Sequence, residues 1–288
     1  MTPVALATCS VLPDLDDDER LVIPALAVRG VEAVAQVWDN PGVDWGEFEL
    51  VVIRSTWDYV ERRDEYLAWC ASIRRLCNGL PVITWNTDKV YLRDLAGAGI
   101  PMVPTVYVAP GDAVLDVELP RGELVVKPAI SGGAQNTARY RANEQEGARE
   151  HVERLLAAGR TVMVQPYVAS VDEVGETGLV YFDGELSHAF RKGPVLRDSG
   201  TTTSDLWAPE EITATEPSAD ERGLASTTLD ALPWDRRDLL YARVDLVRSA
   251  DGGCLLLELE LTEPSLYLVH GRDAAARFAA AIGRRVGR

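Results

Sequence analysis

The chain has 288 residues, of which 47% are hydrophobic, and its 45 acidic and 29 basic residues give a formal net charge of −16 at pH 7. A chain of this size and composition can bury a large core and form one large domain or two to three small ones. The acidic balance argues against nucleic acid as a partner, because the phosphate backbone attracts surfaces rich in Lys and Arg. A nucleotide needs only a local basic pocket and is not excluded.

Cysteine usage and hydropathy indicate a cytoplasmic protein. The four cysteines form no C-x-x-C pair and only three histidines are present, so reduced and mostly buried thiols are expected. The N-terminus lacks the charged region and long apolar run of a signal peptide. No segment approaches the roughly 18 apolar residues of a membrane helix. We therefore expect no membrane partner, and a homo-oligomer remains open.

Residues 1–85 alternate between strand and helix patterns, which predicts an N-terminal domain with a small Rossmann-like parallel sheet. The predicted strands are Val4–Thr8, Val31–Trp38, Glu49–Arg54 and Pro81–Trp85, and the predicted helices are Asp16–Arg29 and Asp64–Cys77. Ligand loops of such a sheet lie at the carboxyl ends of its strands. Four residues at one such end are therefore candidates for substrate binding, namely Arg54, Thr56, Trp57 and Asp58. Packing is an equally good interpretation of Trp57 and of the nearby Tyr59.

Residues 86–121 are predicted to connect two lobes, and residues 122–168 to form a small α+β lobe. The connection consists of a helix over Thr87–Ala98 and an extended, proline-broken segment. The predicted elements of the lobe are strands Leu124–Lys127, Thr137–Arg141 and Val162–Tyr167 and the helix Glu144–Ala158.

Three features of these two segments suit a nucleotide, although each is weak alone. Lys127 ends a strand just before a turn that contains Gly132 and Gly133, and glycine backbone N–H groups beside a lysine suit phosphate oxygens. Lys89 lies near the start of a helix, and Gln165–Val168 leaves a strand where backbone groups can meet an adenine edge. The alternatives are an ordinary turn, a surface lysine and a plain strand end.

Residues 169–288 are predicted to form a C-terminal lobe that contains two hairpins. With Asp183-Gly184 as its turn, the first hairpin places Glu176 opposite Arg191. Arg191 and Lys192 could contact a γ-phosphate or a substrate carboxylate, or Arg191 could form a salt bridge with Glu176. The polar segment Leu196–Ala219 is expected to be a loop, and helices are predicted over Asp220–Ala231 and Asp273–Val286.

The second hairpin, over residues 241–262, is the most informative feature of the chain. With Asp251-Gly252 as the central turn residues, Asp245 falls opposite Glu258 and Arg243 opposite Glu260. The four side chains then share one face, where opposed carboxylates repel each other and require a cation. An all-oxygen ligand set favours Mg²⁺, which commonly shares its coordination sphere with phosphates. A solvated face of surface acids is the alternative interpretation.

Taken together and in this order, these motifs resemble the ATP-grasp superfamily over nearly the whole chain. The resemblance implies an ATP-grasp fold of class α/β (α+β), in which the parallel N-terminal sheet and two α+β lobes enclose ATP. It also implies that Lys89, Lys127 and the turn at Gly132 and Gly133 hold phosphates, and that the hinge from Gln165 through Tyr167 to Val168 reads adenine. Glu173 or Glu176 would bind ribose; the residues leave that choice open.

The same resemblance assigns the acidic hairpin to metal binding and phosphoryl transfer. Asp245, Glu258 and Glu260 would hold two Mg²⁺ ions, which Mn²⁺ could replace, and Glu260 stands where the family commonly has Asn. Arg243 would steady the transferred phosphoryl group, with Arg191 and Lys192 as further catalytic candidates. Ser265 lies where family members bring a substrate loop close to the acyl group.

The resemblance implies an ADP-forming ligase that makes a C–N bond. ATP would activate a substrate carboxylate as an acyl phosphate, and a nitrogen nucleophile would displace the phosphate. The segments STWDY and SHAFRK look most like an amino-acid-directed branch, which includes glutathione-synthetase-like ligases and the cyclo-ligases of D-cycloserine biosynthesis. An ATP-grasp ligase for a small amino-acid-like substrate is thus the leading hypothesis, and the resemblance suggests cyclisation of O-ureido-D-serine, an antibiotic-biosynthetic reaction, as its specific form.

Three alternatives remain at the level of the sequence. One is a two-substrate ligase for amino acids or dipeptides, and another is a non-catalytic, regulatory nucleotide-binding protein of the same fold. A dinucleotide-dependent oxidoreductase is suggested only by the leading β-α-β pattern, and the chain lacks the G-x-G-x-x-G fingerprint of that class.

Overall fold

A computed structural model describes residues 3–114, 117–196, 200 and 210–287. It contains one parallel and two antiparallel sheets, each covered by helices. The α/β class expected from the sequence is therefore confirmed.

The N-terminal domain is a parallel four-stranded sheet of order β2-β1-β3-β4. Its elements are β1 (Val4–Thr8), α1 (Val22–Ala27), β2 (Ala33–Val37), β3 (Leu50–Ile53), α2 (Arg63–Ser72), β4 (Leu76–Cys77) and α3 (Leu80–Asn86). Strands β1 and β3 are completely buried, which explains why they read as continuous apolar runs rather than alternating ones.

Two element predictions in this domain are wrong. The segment Pro81–Trp85, predicted as a strand, lies within α3. Pro81 occupies the first turn of this helix, where a backbone N–H would have no hydrogen-bond partner within the helix, so proline is tolerated. A five-residue apolar run cannot by its periodicity separate a strand from a buried helix. The fourth strand is instead β4, at the end of the segment predicted as one long helix, because α2 stops at Ser72.

The small lobe is an antiparallel sheet of order β5-β8-β6-β7 against one long helix. The elements that lead into it and form it are α4 (Leu92–Gly97), β5 (Val106–Val108), β6 (Leu124–Pro128), β7 (Ala138–Tyr140), α5 (Gln145–Ala157) and β8 (Val162–Pro166). Strand β5 comes from the segment expected to be only a connection, and it pairs with β8.

The large lobe is an antiparallel sheet of order β11-β10-β9-β12-β13. Its elements are α6 (Ser170–Glu173), β9 (Glu176–Phe182), β10 (Glu185–Lys192), β11 (Ile212–Thr215), α7 (Ala219–Asp230), β12 (Tyr241–Arg248), β13 (Cys254–Glu260) and α8 (Ala274–Gly283). The expected loop Leu196–Ala219 therefore contains strand β11. Residues 197–199 and 201–209 of that loop lie outside the described residues.

The predicted pairing of the acidic hairpin is confirmed. Arg243 lies opposite Glu260 and Asp245 opposite Glu258, and a bulge separates this part of the ladder from the part near the turn. The pairing predicted for the β9–β10 hairpin is wrong by one residue. A bulge between Leu186 and His188 places Lys192, rather than Arg191, opposite Glu176.

Side chains of the N-terminal half cover the free edge of β13, which is the last strand of the large sheet. Asn86 donates to Leu259 O (2.8 Å) and accepts from Leu261 N (2.6 Å). The Tyr91 hydroxyl also donates to Leu259 O (2.6 Å), and it accepts from Leu259 N (2.9 Å). An open edge would leave unpaired backbone groups, so these contacts both satisfy the strand and fix the acidic hairpin against the N-terminal domain.

The helices of the described ranges are too short or too polar to cross a membrane.

Candidate active site

One cavity at the junction of the three sheets brings together most of the residues predicted from the sequence. Those that line it are Trp57, Lys89, Lys127, Gly132, Gly133, Gln165, Tyr167, Val168, Glu176, Lys192, Arg243, Asp245, Glu258, Glu260 and Ser265. They come from segments that are far apart in the chain and meet only because the two lobes face each other across the cavity.

The structure does not bring three of the predicted substrate-binding residues to this cavity. Arg54 is fully buried, pairs with Glu19 and donates to the carbonyl of Pro264 (2.6 Å). Thr56 is also fully buried, and Asp58 accepts from the indole of Trp38 (2.8 Å). Their expected contact with substrate is therefore not supported, because each side chain is used for packing within the protein.

Two further predicted residues lie away from the cavity. Glu173 is exposed in the short helix α6, so of the two candidate ribose ligands it is Glu176 that lines the cavity. Arg191 lies 3.9 Å from Glu221, on the opposite face of β10 from Lys192, because the bulge in β10 places Lys192 rather than Arg191 opposite Glu176. The expected contact between Arg191 and a phosphate or substrate is not supported by this geometry.

The basic end of the cavity is formed by Lys89 and Lys127. Lys89 pairs with Glu258 (3.1 Å) and donates to Ser131 O (2.5 Å), which ties it to the glycine turn. Burial opposes the charge of Lys89, but Glu258 and Glu260 outweigh it and raise its pKa. Burial, aided by the repulsion of Lys89 and Lys192, instead lowers the pKa of Lys127. An anion placed between the two lysines would be strongly favoured.

Part of the cavity lining is an apolar slot beside the predicted hinge. Val103, Val125, Val171, Val247 and Leu257 line it together with Gln165, Tyr167 and Val168. Gln165 is buried and its side-chain amide donates to Thr105 (2.8 Å), while the ring of Tyr167 lies under the guanidinium of Arg139. A slot of this kind suits a planar, mostly apolar ring with a few polar edges.

The acidic hairpin faces the middle of the cavity, and its carboxylates are paired with protein cations. The Arg243 guanidinium binds Asp245 (2.8 Å) and Glu260. Burial opposes its charge, but the two carboxylates hold its pKa well above the usual value. Among the residues that the structure describes, no three acidic, histidine or cysteine side chains converge as a metal site. The donor atoms are nevertheless all carboxylate oxygens on one strand pair, which is the chemistry that Mg²⁺ prefers.

Lys192 connects the two hairpins electrostatically. Its ammonium lies 3.0 Å from Glu176 and 3.8 Å from Glu210, and burial of this charge is outweighed by Glu176, Glu210 and Asp245, which raise its pKa well above the usual value. Lys192 was predicted to lie near the site, but the pairing inferred from the turn placed Arg191, rather than Lys192, opposite Glu176.

The cavity is also lined by Tyr59 and Glu263, which lie in segments that the sequence had marked for substrate, and by three residues that it did not identify, namely Asn86, Glu210 and Tyr267. Tyr59 belongs to the same STWDY segment as Trp57, and Glu263 follows the acidic strand by three residues, so proximity to a recognised motif was the available signal. Glu210 and Tyr267 carry no local pattern that would have identified them.

The chain is similar to known ligases over its whole length. A family model described as the N-terminal domain of D-cycloserine synthetase DcsG matches residues 4–78. The cycloserine biosynthesis protein DcsG of Streptomyces lavendulae is 41% identical over 297 aligned residues, which cover 98% of each chain.

Two solved structures show the same similarity in three dimensions. The crystal structure of D-cycloserine synthetase DcsG has a TM-score of 0.87 and 38% identity, covering 98% of this chain and 99% of that one. The ATP-grasp ligase PsnB, solved with a minimal precursor, Mg and ADP, has a TM-score of 0.63 and 18% identity over 100% of this chain and 99% of that one. The second likeness is one of fold alone.

Proposed function

This chain belongs to the family of the D-cycloserine synthetase DcsG, a family of ATP-dependent ligases of the ATP-grasp fold, and on that premise we propose that it cyclises O-ureido-D-serine to D-cycloserine. The observation that carries the proposal is the cavity itself, which unites two lysines, an apolar slot and an acidic hairpin in a chain similar to DcsG from end to end. The enzyme would work in the cytoplasm on a small amino-acid-like substrate.

ATP would lie across the cavity with its base in the apolar slot and its phosphates at the basic end. Lys127 supports this placement because it is 8% exposed and has no carboxylate within ion-pair distance among the described residues. A buried ammonium without an anionic partner is costly, and a phosphate supplies that partner. Gly132 and Gly133 would let the backbone approach the phosphate oxygens, and Glu176 would bind the ribose.

Asp245, Glu258 and Glu260 would hold Mg²⁺ together with the phosphates. When bound, Mg²⁺ neutralises charge on the phosphate oxygens and orients the transferred group. We propose two ions, with Mn²⁺ able to replace them. The three carboxylates are paired with Arg243 and Lys89. Ions bound to these carboxylates would leave both cations available to the phosphates.

The proposed reaction has two steps, and the protein contributes mainly position and charge. The substrate carboxylate first attacks the γ-phosphorus, which yields an acyl phosphate and ADP, with Arg243 stabilising the transferred group. The oxygen-linked nitrogen of the same substrate then attacks the acyl carbon. A C–N bond forms as the C–O bond to phosphate breaks, and the attacking nitrogen loses its proton. After these two steps, water hydrolyses the carbamoyl group on that nitrogen to CO2 and NH3, which leaves D-cycloserine.

The test is mass spectrometry of the purified protein with Mg²⁺, ATP and O-ureido-D-serine. We expect D-cycloserine and ADP in equal amounts, and neither from the Asp245→Asn variant. ATP binding without any cyclic product would contradict the proposal. Offering a second amino acid in the same assay would then detect a two-substrate ligase, and binding without turnover of any kind would indicate a regulatory nucleotide-binding protein.

A further inference from the structure

The carboxylates that line the cavity differ in whether a protein cation neutralises them. Six acidic side chains of the described residues line it: Glu176, Glu210, Asp245, Glu258, Glu260 and Glu263. Five of these carboxylates lie within ion-pair distance of a protein cation. Lys192 pairs with Glu176 and Glu210, Arg243 pairs with Asp245 and Glu260, and Lys89 pairs with Glu258. In the described part of the chain, Glu263 has no such partner.

The immediate neighbour of the Glu263 carboxylate is a neutral phenol. The Tyr59 phenol lines the same cavity and lowers the pKa of Glu263, as does Lys89, whose ammonium is paired with Glu258 (3.1 Å). Burial raises the pKa of Glu263 to about 7 against the lowering effect of these two groups. A half-buried carboxylate that has only a neutral partner is favoured by an added cation.

The backbone around Glu263 is held rigidly by side chains from other parts of the protein. Five successive carbonyls, of residues 262–266, each accept from a different side chain: Tyr241 (2.8 Å), Trp57 (3.0 Å), Arg54 (2.6 Å), Arg243 (3.0 Å) and His188 (2.8 Å). Arg54 and Trp57 thus act on this segment from the N-terminal domain. A charged group on so well supported a backbone is preorganised for a ligand.

From these observations we infer that Glu263 binds the ammonium group of the amino-acid substrate. The inference rests on the proposed function and specifies how the substrate is oriented. Glu263 lies in the same cavity as Arg243, to which its neighbour Ser265 is tied, so an ammonium at Glu263 leaves the adjacent carboxylate facing the phosphoryl-transfer end. The Glu263 carboxylate would thereby pair with the substrate ammonium, in the same way that the Lys127 ammonium would pair with a phosphate of ATP.

The experiment is a double-mutant cycle between the protein and the substrate. Wild-type and Glu263→Gln proteins are assayed with O-ureido-D-serine and with 3-(ureidooxy)propanoic acid, which lacks only the amino group. For O-ureido-D-serine we expect Glu263→Gln to lower kcat/KM roughly 30-fold or more, mainly through KM, because the variant leaves the ammonium of the bound substrate without its anionic partner. For the analogue, the two proteins should agree within roughly threefold, since the interaction is already missing.

Three controls make the result interpretable. Glu153→Gln changes an exposed glutamate of α5 and should keep wild-type constants, and Tyr59→Phe should have a smaller effect than Glu263→Gln because it keeps the carboxylate. Affinity for a non-hydrolysable ATP analogue and the thermal unfolding midpoint show whether Glu263→Gln retains the fold and the nucleotide site.

Each other outcome overturns the inference in a recognisable way. An equal loss for both substrates, carried by kcat, would mean that Glu263 acts on another group, such as the proton of the attacking nitrogen. An unaffected KM for O-ureido-D-serine would mean that the ammonium binds elsewhere. If the wild-type protein binds ATP but does not turn over O-ureido-D-serine, the proposed function itself fails, and this assignment with it.

Discussion

The two hairpins of the large sheet, β9–β10 and β12–β13, are neighbours, and each contains a single bulge, yet the pairing inferred from the turn is right for one and wrong for the other. In β12–β13 the last pair before the turn is Arg248 with Cys254, so the loop is longer than the predicted two residues. The bulge beyond Asp245 compensates for this difference, and the acidic residues meet as predicted.

In β9–β10 the turn at Asp183-Gly184 is correct, and the bulge shifts everything beyond it. Phe182 pairs with Glu185 as expected, but from His188 onward each residue lies opposite a partner one place away from its predicted one. Gly178 confirms the shifted pairing, because a Cβ there would lie 2.1 Å from the ring of the opposing Phe190. Pairing derived from a turn is therefore reliable only as far as the first bulge.

The largest expected effect comes from the hairpin whose pairing was predicted correctly. Asp245→Asn or Glu258→Gln should reduce ATP turnover by about 1,000-fold or more, because each removes an anionic oxygen ligand for Mg²⁺. Release of ADP with saturating Mg²⁺ and substrate measures this, and circular dichroism checks the fold. Asp251→Asn, at the exposed tip of the same hairpin, is the control and should keep full activity. Near-normal turnover in both site variants would refute the assignment of the metal ligands.

The next effect tests the shifted pairing of the other hairpin through two adjacent residues. Lys192→Ala should lower ATP turnover roughly 30- to 100-fold, because it leaves Glu176 and Glu210 without their cation inside the cavity. Arg191→Ala should change turnover by less than about threefold, since Arg191 lies on the other face beside Glu221. Steady-state assays of ATP turnover in both variants show which of the two residues faces the cavity. A larger loss in Arg191→Ala than in Lys192→Ala would mean that the pairing inferred from the turn alone was correct.

A smaller effect is expected at Lys127, which is influenced by both hairpins through Glu258 and Glu176. Lys127→Ala should weaken ATP binding roughly 10- to 100-fold, the value of one or two charge-assisted contacts to phosphate. Isothermal titration with a non-hydrolysable ATP analogue measures it, and Lys127→Arg should retain part of the affinity. An unchanged affinity in Lys127→Ala would remove this residue from the phosphate site.

The smallest effect concerns His188, the first residue beyond the β10 bulge. Burial, together with Arg277, lowers its pKa to about 4, below the value of about 6.5 for an unfolded chain. On acidification, His188 is therefore protonated at a higher pH in the unfolded chain than in the folded protein. The contribution of neutral His188 to the free energy of unfolding is complete above about pH 6.5 and is lost as the pH falls to about 4. With allowance for partial exposure, we expect a loss of about 1–2 kcal/mol.

Urea unfolding at several pH values measures the contribution of His188. His188→Gln should show a shallower decline of the free energy of unfolding between pH 6.5 and 4 than the wild-type protein. His151 in the small lobe has a similarly lowered pKa and is present in both proteins, so part of the decline remains. Equal slopes in the two proteins would contradict the role given to His188.

Local patterns were sufficient for much of the fold. Val4–Thr8 was predicted with the bounds that the structure has, and the acidic residues of the second hairpin were paired correctly. Residues that act through distant partners were not accessible in this way. Arg54 was expected to meet substrate, but it is buried against Glu19 and Pro264 because the N-terminal domain packs on the segment after β13.

The sequence by itself determined most of the strands and most of the chemical groups that line the cavity, because side-chain alternation, turn residues and motif spacing are local properties. Only the tertiary structure decided the bulge in β10, where Ser187 accepts from Arg277 of α8 and His188 contacts Leu266. It also decided that Lys192 rather than Arg191 faces the site, and that Glu263 alone among the lining carboxylates of the described residues has no cation. These outcomes depend on contacts between residues far apart in the chain, which no local pattern encodes.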